Sequence, residues 1–402
     1  MKRSTNRILT THAGSLPRPD DVRELVQAKS SGAPYDEQAF NTRVRSAVAE
    51  VVQKQLACGV DCVNDGEFGK SNFSNYARER LGGVEERTVK PEEVPLVGIQ
   101  GRDLKDFPGY FIELGGFASV GASVTGGQIN RRQIGLRGGE SKRLFCVAPL
   151  NYVGQADLRR DLENFKAALQ GVRPEDTFIP AVAPGTIEHW LHNDYYPNDE
   201  AYLNAIAEAM HEEYKAIVDA GFLLQIDDPD LPDAWQMHPE MSVAEYRKFA
   251  ELRIDALINA LRDIPTESVR LHVCWGSYHG PHKHDIPLKD IVDIVLKVPV
   301  AAYSVEAANP RHEHEWKVWK DAKLPEGKVL IPGVVGHSSD FIEHPELVAE
   351  RIVRFAEVVG KENVIAGTDC GLGGRVGHPD IVWAKLEALS EGAALASKEL
   401  WG

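Results

Sequence analysis

Val329-Leu-Ile-Pro-Gly-Val-Val335 is apolar from end to end and is followed at once by Gly336. A short run without polar alternation reads as a strand covered on both faces, the condition of a parallel sheet flanked by helices. Phe222-Leu-Leu-Gln-Ile226 has the same character. On either side the pattern repeats, with β-branched runs most of which end in, or are followed at once by, Gly, Asp or Pro. These are Arg7–Ala13, Val60–Gly66, Thr177–Ala183, Phe222–Asp227, Val269–Trp275, Ala301–Glu306, Val329–Val335 and Val364–Asp369. Amphipathic segments at helical spacing lie between most of them: Phe40–Ala57, Glu200–Ala220, Val243–Leu261 and Pro345–Val359, with shorter ones near Pro287–Lys297 and Pro310–Ala322. Strands alternating with helices mean α/β architecture, and eight such units favour a closed (β/α)8 TIM barrel over an open sheet.

One stretch breaks this rhythm. Residues of about 69–176 carry Gly115-Gly116, Gly126-Gly127 and Arg137-Gly138-Gly139, and read as a long insertion after the second strand with a hairpin or small sheet of its own. Insertions at that end of a barrel shape the mouth of the site. With no repeat and no low-complexity linker, residues 1–402 read as one barrel domain.

A net charge of −15 over 402 residues leaves no dominant basic face, which argues against nucleic acid or an anionic membrane as partner. No apolar run approaches the roughly 18 residues a spanning helix needs. Met1–Thr11 is polar and basic, without the apolar core of a signal peptide, so a cytoplasmic location is expected. Five cysteines (Cys58, Cys62, Cys146, Cys274 and Cys370) are too few and too uneven for a disulfide framework. The expected partners are small molecules, and the chain is compatible with a homo-oligomer.

Leu271-His-Val-Cys-Trp-Gly276 sets His272 and Cys274 two apart on a strand, where side chains share a face and can reach one ion. Alone, that spacing equally describes two polarisable core residues. Its company changes the reading. Glu306 closes the next strand in Ser304-Val-Glu-Ala-Ala-Asn309, and Cys370 follows the last strand in Gly367-Thr-Asp-Cys-Gly-Leu-Gly373. These strand ends share the barrel face that holds the chemistry, and His, Cys, Glu and Cys are ligand types that Zn2+ accepts. Two thiolates favour zinc over magnesium or calcium, which prefer all-oxygen shells.

These motifs resemble the catalytic barrel of the cobalamin-independent methionine synthase family. The likeness extends to Gly14-Ser-Leu-Pro17, Asp65-Gly-Glu67, Gln225-Ile-Asp227, Thr186-Ile-Glu-His-Trp190 and Gly333-Val-Val-Gly-His-Ser338, in the family's order. The family's long form carries a further N-terminal barrel; this chain looks like a short, single-barrel relative, with Asp227-Asp228 where the long form has Asp-Glu. The resemblance implies a zinc-dependent methyltransferase. A methyl group would pass from a methylfolate-type donor to a zinc-bound thiolate such as homocysteine. Metal ligands would be His272, Cys274, Glu306 and Cys370. Glu67 and Asp227 would take the acceptor's ammonium, Ser15 its carboxylate, and Trp190 would stack on a flat donor. His337 would be the catalytic proton donor to the leaving amine, a task suited to an imidazole near neutral pKa.

Short relatives of this type also include epoxide-opening coenzyme M transferases, so a thiol alkyltransferase, or one with a non-folate methyl donor, is the second reading. A pair of carboxylates serves an ammonium-bearing thiol better than a sulfonate. A zinc holder without turnover would need neither Glu67 nor Asp227, and two thiolates make zinc a poor activator of water for hydrolysis. The run His279-Gly-Pro-His282-Lys-His284-Asp285, with His312, His314, Arg375 and His378, is expected to form a polar rim rather than a second metal site. Cys58, Cys62 and Cys146 are expected to be structural.

Overall fold

A computed structural model describes residues 1–89, 101–113, 141–276 and 280–402. In chain order the strands are β1 (Leu9–Thr10), β2 (Cys62–Val63), β3 (Leu81–Val89), β4 (Ser141–Tyr152), β5 (Asp176–Val182) and β6 (Leu191–Asn193), then β7 (Leu223–Asp227), β8 (Val269–Val273), β9 (Ala302–Glu306), β10 (Val329–Val335) and β11 (Ile365–Thr368). Eight pair in the order β1-β11-β10-β9-β8-β7-β5-β2, every pair parallel. The ring closes between its end strands: Asp61 N–H donates to Thr10 O at 3.2 Å, and Thr11 Oγ1 to Cys62 O at 3.3 Å. The fold is a (β/α)8 barrel, and each of its strands overlaps one of the eight expected. β1 and β2 are only two residues long, shorter than their apolar runs, because the Asp61 carboxylate accepts the Thr10 N–H and Oγ1–H and takes over part of the ladder.

The helices form where sequence gives them a start signal and an apolar stripe. Asp36 caps Glu37–Ala57 by accepting from Ala39 N–H, and Asn198 caps Asp199–Asp219 through Ala201 N–H. Ser242 and Glu245 form a capping box for Val243–Ala260. Pro345 and Pro379 open the helices Pro345–Val359 and Pro379–Trp401, where a missing N–H costs nothing. The segments near Pro287–Lys297 and Pro310–Ala322 are short 3-10 turns running into four-residue helices. Among the described residues no helix is long and apolar enough to cross a membrane.

Between β2 and β5 the chain leaves the ring. β3 and β4 pair antiparallel, and β4 pairs parallel with β6, giving a three-stranded sheet beside the mouth. Buried charge fastens it to the barrel: Arg80 bridges Asp161 and Glu213, and Tyr152 Oη donates to Glu213 at 2.7 Å. The glycine-rich stretches at 115–116, 126–127 and 137–139 lie outside the described residues.

The barrel interior holds one large cation. Arg270 is 1 % exposed; it donates to Gln225 Oε1 at 2.7 Å, Thr11 Oγ1 at 3.0 Å and His12 O at 2.9 Å, and lies 3.5 Å over the Phe178 ring. A charge so placed survives burial only because every face of the guanidinium is met. Above it, in register, Asp227 faces His272 and His272 faces Ser304, so the inward residues of β7, β8 and β9 rise as one layer toward the mouth.

Candidate active site

His272, Cys274 and Cys370 converge: their ligand atoms all lie within 4.8 Å of one another, the sole such group of three among the described residues. β8 sends His272 and Cys274 inward from alternate positions, and the turn after β11 brings Cys370 across the ring. Cys274 Sγ and Cys370 Sγ are 3.8 Å apart. That is far beyond a disulfide bond, yet a tetrahedral ion at about 2.3 Å from each sulfur would set them about 3.8 Å apart. His272 Nδ1 is fixed by Ser304 Oγ at 3.1 Å, while Nε2 is buried without a partner. An imidazole held at one nitrogen with the other bare is how proteins present a metal ligand. The thiol pair is polarised as well. The bond with Cys274 holds Cys370 below the usual thiol range, against burial and with help from His272, whereas Cys274 is pushed above it by that same bond. The donor set therefore fits zinc.

Glu306 stands close by but outside that group of three. Its carboxylate, 2 % exposed, accepts Trp275 N–H at 3.0 Å and Asn309 Nδ2 at 3.0 Å. Each oxygen accepts one bond and keeps a second lone pair, so these bonds position the carboxylate without using up its capacity to ligate. His337, expected as proton donor, is 1 % exposed with both ring nitrogens unpartnered, and it is not among the residues lining the cavity described next.

The three converging residues open onto a cavity of about 650 Å³ that is also lined by Ser15, Glu67, Trp190 and Asp227. Expected acceptor and donor residues thus share one chamber with the metal group. Glu67 takes φ +62, a left-handed backbone that is costly for a side-chain-bearing residue and is held by its N–H to Asp65 Oδ1 at 2.9 Å. Gly14 must be glycine, because a Cβ there would strike Glu67 Oε1 and its φ is +141. Burial pushes Glu67 up to about 8 and Asp227 to about 6, despite the nearby Lys70 and, for Asp227, His272. Asp227 Oδ1 accepts from Gln225 Nε2 at 2.6 Å. The Ser15 loop is tied to the Cys370 loop, since Leu372 and Gly373 N–H both donate to Ser15 O, at 3.1 and 2.9 Å. Trp190 stacks on His189, centroids 4.6 Å apart and planes at 14°.

Four residues were absent from the expected set. Ser304 holds His272 through its Nδ1. Asp233 lines the cavity with an unpartnered Oδ1, and burial raises it far above the usual carboxylate range. Asp230 lines the same cavity and bonds His189 Nδ1 at 2.5 Å. Asp369 Oδ1 accepts the N–H of Ala307 and Ala308, at 2.7 and 2.8 Å, and so fixes the turn after Glu306. Asp230 and Asp233 stand three apart in the first turn of the helix Asp230–Met237 that follows β7, a spacing that gathers side chains on one side of a helical turn and was the available signal.

The histidine-rich segment forms mostly a buried ion-pair network. Asp285 Oδ2 meets His282 Nδ1 at 2.7 Å and His312 Nε2 at 3.0 Å, and Glu315 meets His312 Nδ1 at 2.9 Å. His312 stacks on Trp275 with centroids 3.9 Å apart, bracing the turn after Cys274. His284 pairs with Asp106 at 2.8 Å, His314 and His378 are exposed, and His279 lies outside the described residues. Cys58, Cys62 and Cys146 are buried, and burial pushes both Cys58 and Cys62 up to about 11, as inert thiols should be.

Residues 8–92 and 183–393 match the family described as cobalamin-independent synthase, catalytic domain. The methionine synthase of Thermococcus kodakarensis is 24% identical over 97% of this chain and 94% of its own, and that of Sulfolobus acidocaldarius 24% over 97% and 93%. Among solved structures, the B12-independent methionine synthase of Shewanella sp. W3-18-1, in complex with selenomethionine, matches with TM-score 0.69 at 20% identity, covering 98% of this chain and 99% of that one. A putative vitamin-B12 independent methionine synthase from Listeria monocytogenes matches with TM-score 0.64 at 16% identity, covering 99% and 100%.

Proposed function

The chain belongs to the cobalamin-independent synthase family, and from that premise we propose that it methylates a thiol, homocysteine first, from a methylfolate-type donor, with zinc held by His272, Cys274, Cys370 and Glu306. The observation that carries the reading is the pair of sulfurs 3.8 Å apart beside a bare histidine nitrogen, opening into the chamber that Glu67 and Asp227 line. When bound there, zinc would lower the pKa of an incoming thiol and keep it nucleophilic toward an sp3 carbon.

The chain's own residues do the remainder. Glu67 and Asp227 meet the acceptor's ammonium and turn its thiol toward the cysteines. Ser15 contacts the acceptor's carboxylate end. Trp190, backed by His189, offers a flat face to the donor. His337 supplies the proton that the donor's amine needs as it leaves, and its two unpartnered nitrogens support that role. The reading treats the chain as a single barrel domain with residues of about 69–176 inserted. It also places the enzyme in the cytoplasm, where free thiols persist.

The test is a panel assay of the zinc-loaded enzyme. Homocysteine, coenzyme M and glutathione are offered with methylfolate, methylcobalamin, sulfonium and epoxide donors. Methionine from homocysteine and methylfolate is the expected product. Turnover confined to coenzyme M and an epoxide would replace this reading with the alkyltransferase one.

A further inference from the structure

Besides His272, five basic side chains line the large cavity, and four of them are engaged. Arg18 donates to Ser71 O at 3.2 Å and to Glu67 O at 2.6 Å; Arg23 pairs with Asp20 at 2.6 Å; Arg78 faces Glu86 at 3.9 Å. His378 accepts the N–H of Asp380 at 3.2 Å as a helix cap. Arg375 alone among these has no hydrogen bond or ion pair with the described residues. It follows Cys370 by five positions, on the loop whose Leu372 and Gly373 N–H groups bond Ser15 O. Its charge is felt by both Cys370 and Cys274, so it stands beside the thiol end of the chamber.

We infer that Arg375 recognises the carboxylate of the acceptor, so that the cavity reads a thiol, an ammonium and a carboxylate at three separate places. This rests on the functional reading given above. The same wall already carries Glu67, Asp227, Asp230 and Asp233. A substrate carboxylate entering such an acidic chamber needs a cation of its own, and Ser15 by itself brings none. An arginine stays charged even where burial depresses it, and its planar fork matches a carboxylate at two points. Leaving that fork without a partner in the free enzyme is the arrangement expected where the ligand supplies the partner.

Zinc-loaded wild type, Arg375→Gln and Arg375→Lys separate the outcomes by calorimetric titration. The probes are L-homocysteine, its decarboxylated analogue aminopropanethiol and its deaminated analogue sulfanylbutanoate. Arg375→Gln should bind homocysteine and sulfanylbutanoate about tenfold to a hundredfold more weakly and leave aminopropanethiol within about twofold. Arg375→Lys should recover part of that loss, and zinc content should be unchanged throughout. Equal weakening for all three thiols would mean that Arg375 acts on sulfur, and a change confined to the KM of the methyl donor would assign it to the donor; either overturns the inference. So would homocysteine binding by Arg375→Gln at wild-type strength, with the functional reading left standing. A wild-type enzyme that binds no homocysteine would bring down both.

Discussion

Ser304 Oγ lies 3.1 Å from His272 Nδ1, across two strands in register, and this contact decides which imidazole nitrogen faces the cysteines. Both residues are nearly sealed from solvent, so within the wall of the cavity the hydroxyl is the group that holds Nδ1. The hydroxyl therefore belongs to the proposed metal centre, through the histidine it holds.

Ser304→Ala should keep the fold, at a cost of about 1 kcal/mol for one lost buried hydrogen bond. Zinc affinity should fall about tenfold to a hundredfold, because an unoriented ring must be ordered at each binding event. Competition against a chelator of known affinity measures it.

Asp227→Asn should retain zinc and weaken homocysteine binding by about tenfold or more, since one of two buried charges facing the ammonium is gone. In the wild type, burial sets Asp227 at about 6 and Glu67 at about 8. Homocysteine affinity should accordingly strengthen as pH rises through that interval and the acids ionise. Titrations at successive pH values, with zinc content checked at each, follow both effects.

Glu67 also makes the free enzyme less stable as pH rises. An unfolded Glu ionises near about 4.3, whereas burial holds this one to about 8. Between those values the folded state binds the extra proton, so stability falls with each step upward in pH. Glu67→Gln removes that penalty. Thermal melts of the zinc-free proteins should coincide below pH 4 and separate in the variant's favour by a few kcal/mol above pH 8, part of the full linkage being offset by relaxation around Lys70 and Arg18.

His312 behaves in the opposite sense. Burial disfavours its charge, but the bonds to Asp285 and Glu315 win and raise it to about 9. Its stabilisation is complete below the unfolded value of about 6.5 and is lost as pH climbs through about 9. His312→Gln should cost about 3 kcal/mol at pH 6, because it removes the cation between two buried carboxylates, of which Asp285 keeps His282 and Glu315 keeps only the Leu288 N–H. The gap from wild type should narrow by pH 10, as denaturant melts at the two pH values would register.

Much of this was legible because periodicity and strand ends carry it. Unbroken apolar runs such as Val329–Val335 mark barrel strands, and a two-residue spacing puts His272 and Cys274 on one face whatever surrounds them. Cys370 could be added because it follows the last strand. What escaped depends on neighbours across the ring. Nothing in the sequence says that Ser304 registers with His272, that Trp275 N–H bonds the Glu306 carboxylate, or that His337 is not among the residues lining the cavity. The histidine-rich run looked like a rim because its partners, Asp285 and Glu315, become a buried cage only when two loops fold over Trp275.

Zinc-edge X-ray absorption of the loaded enzyme, with and without homocysteine, reaches the centre of the matter. Two sulfur neighbours at about 2.3 Å are expected at rest and a third on adding the thiol, beside one imidazole nitrogen. A sulfur count that stays the same when homocysteine is present at saturating levels would mean that the acceptor never reaches the metal, and direct activation of the thiol would have to be abandoned.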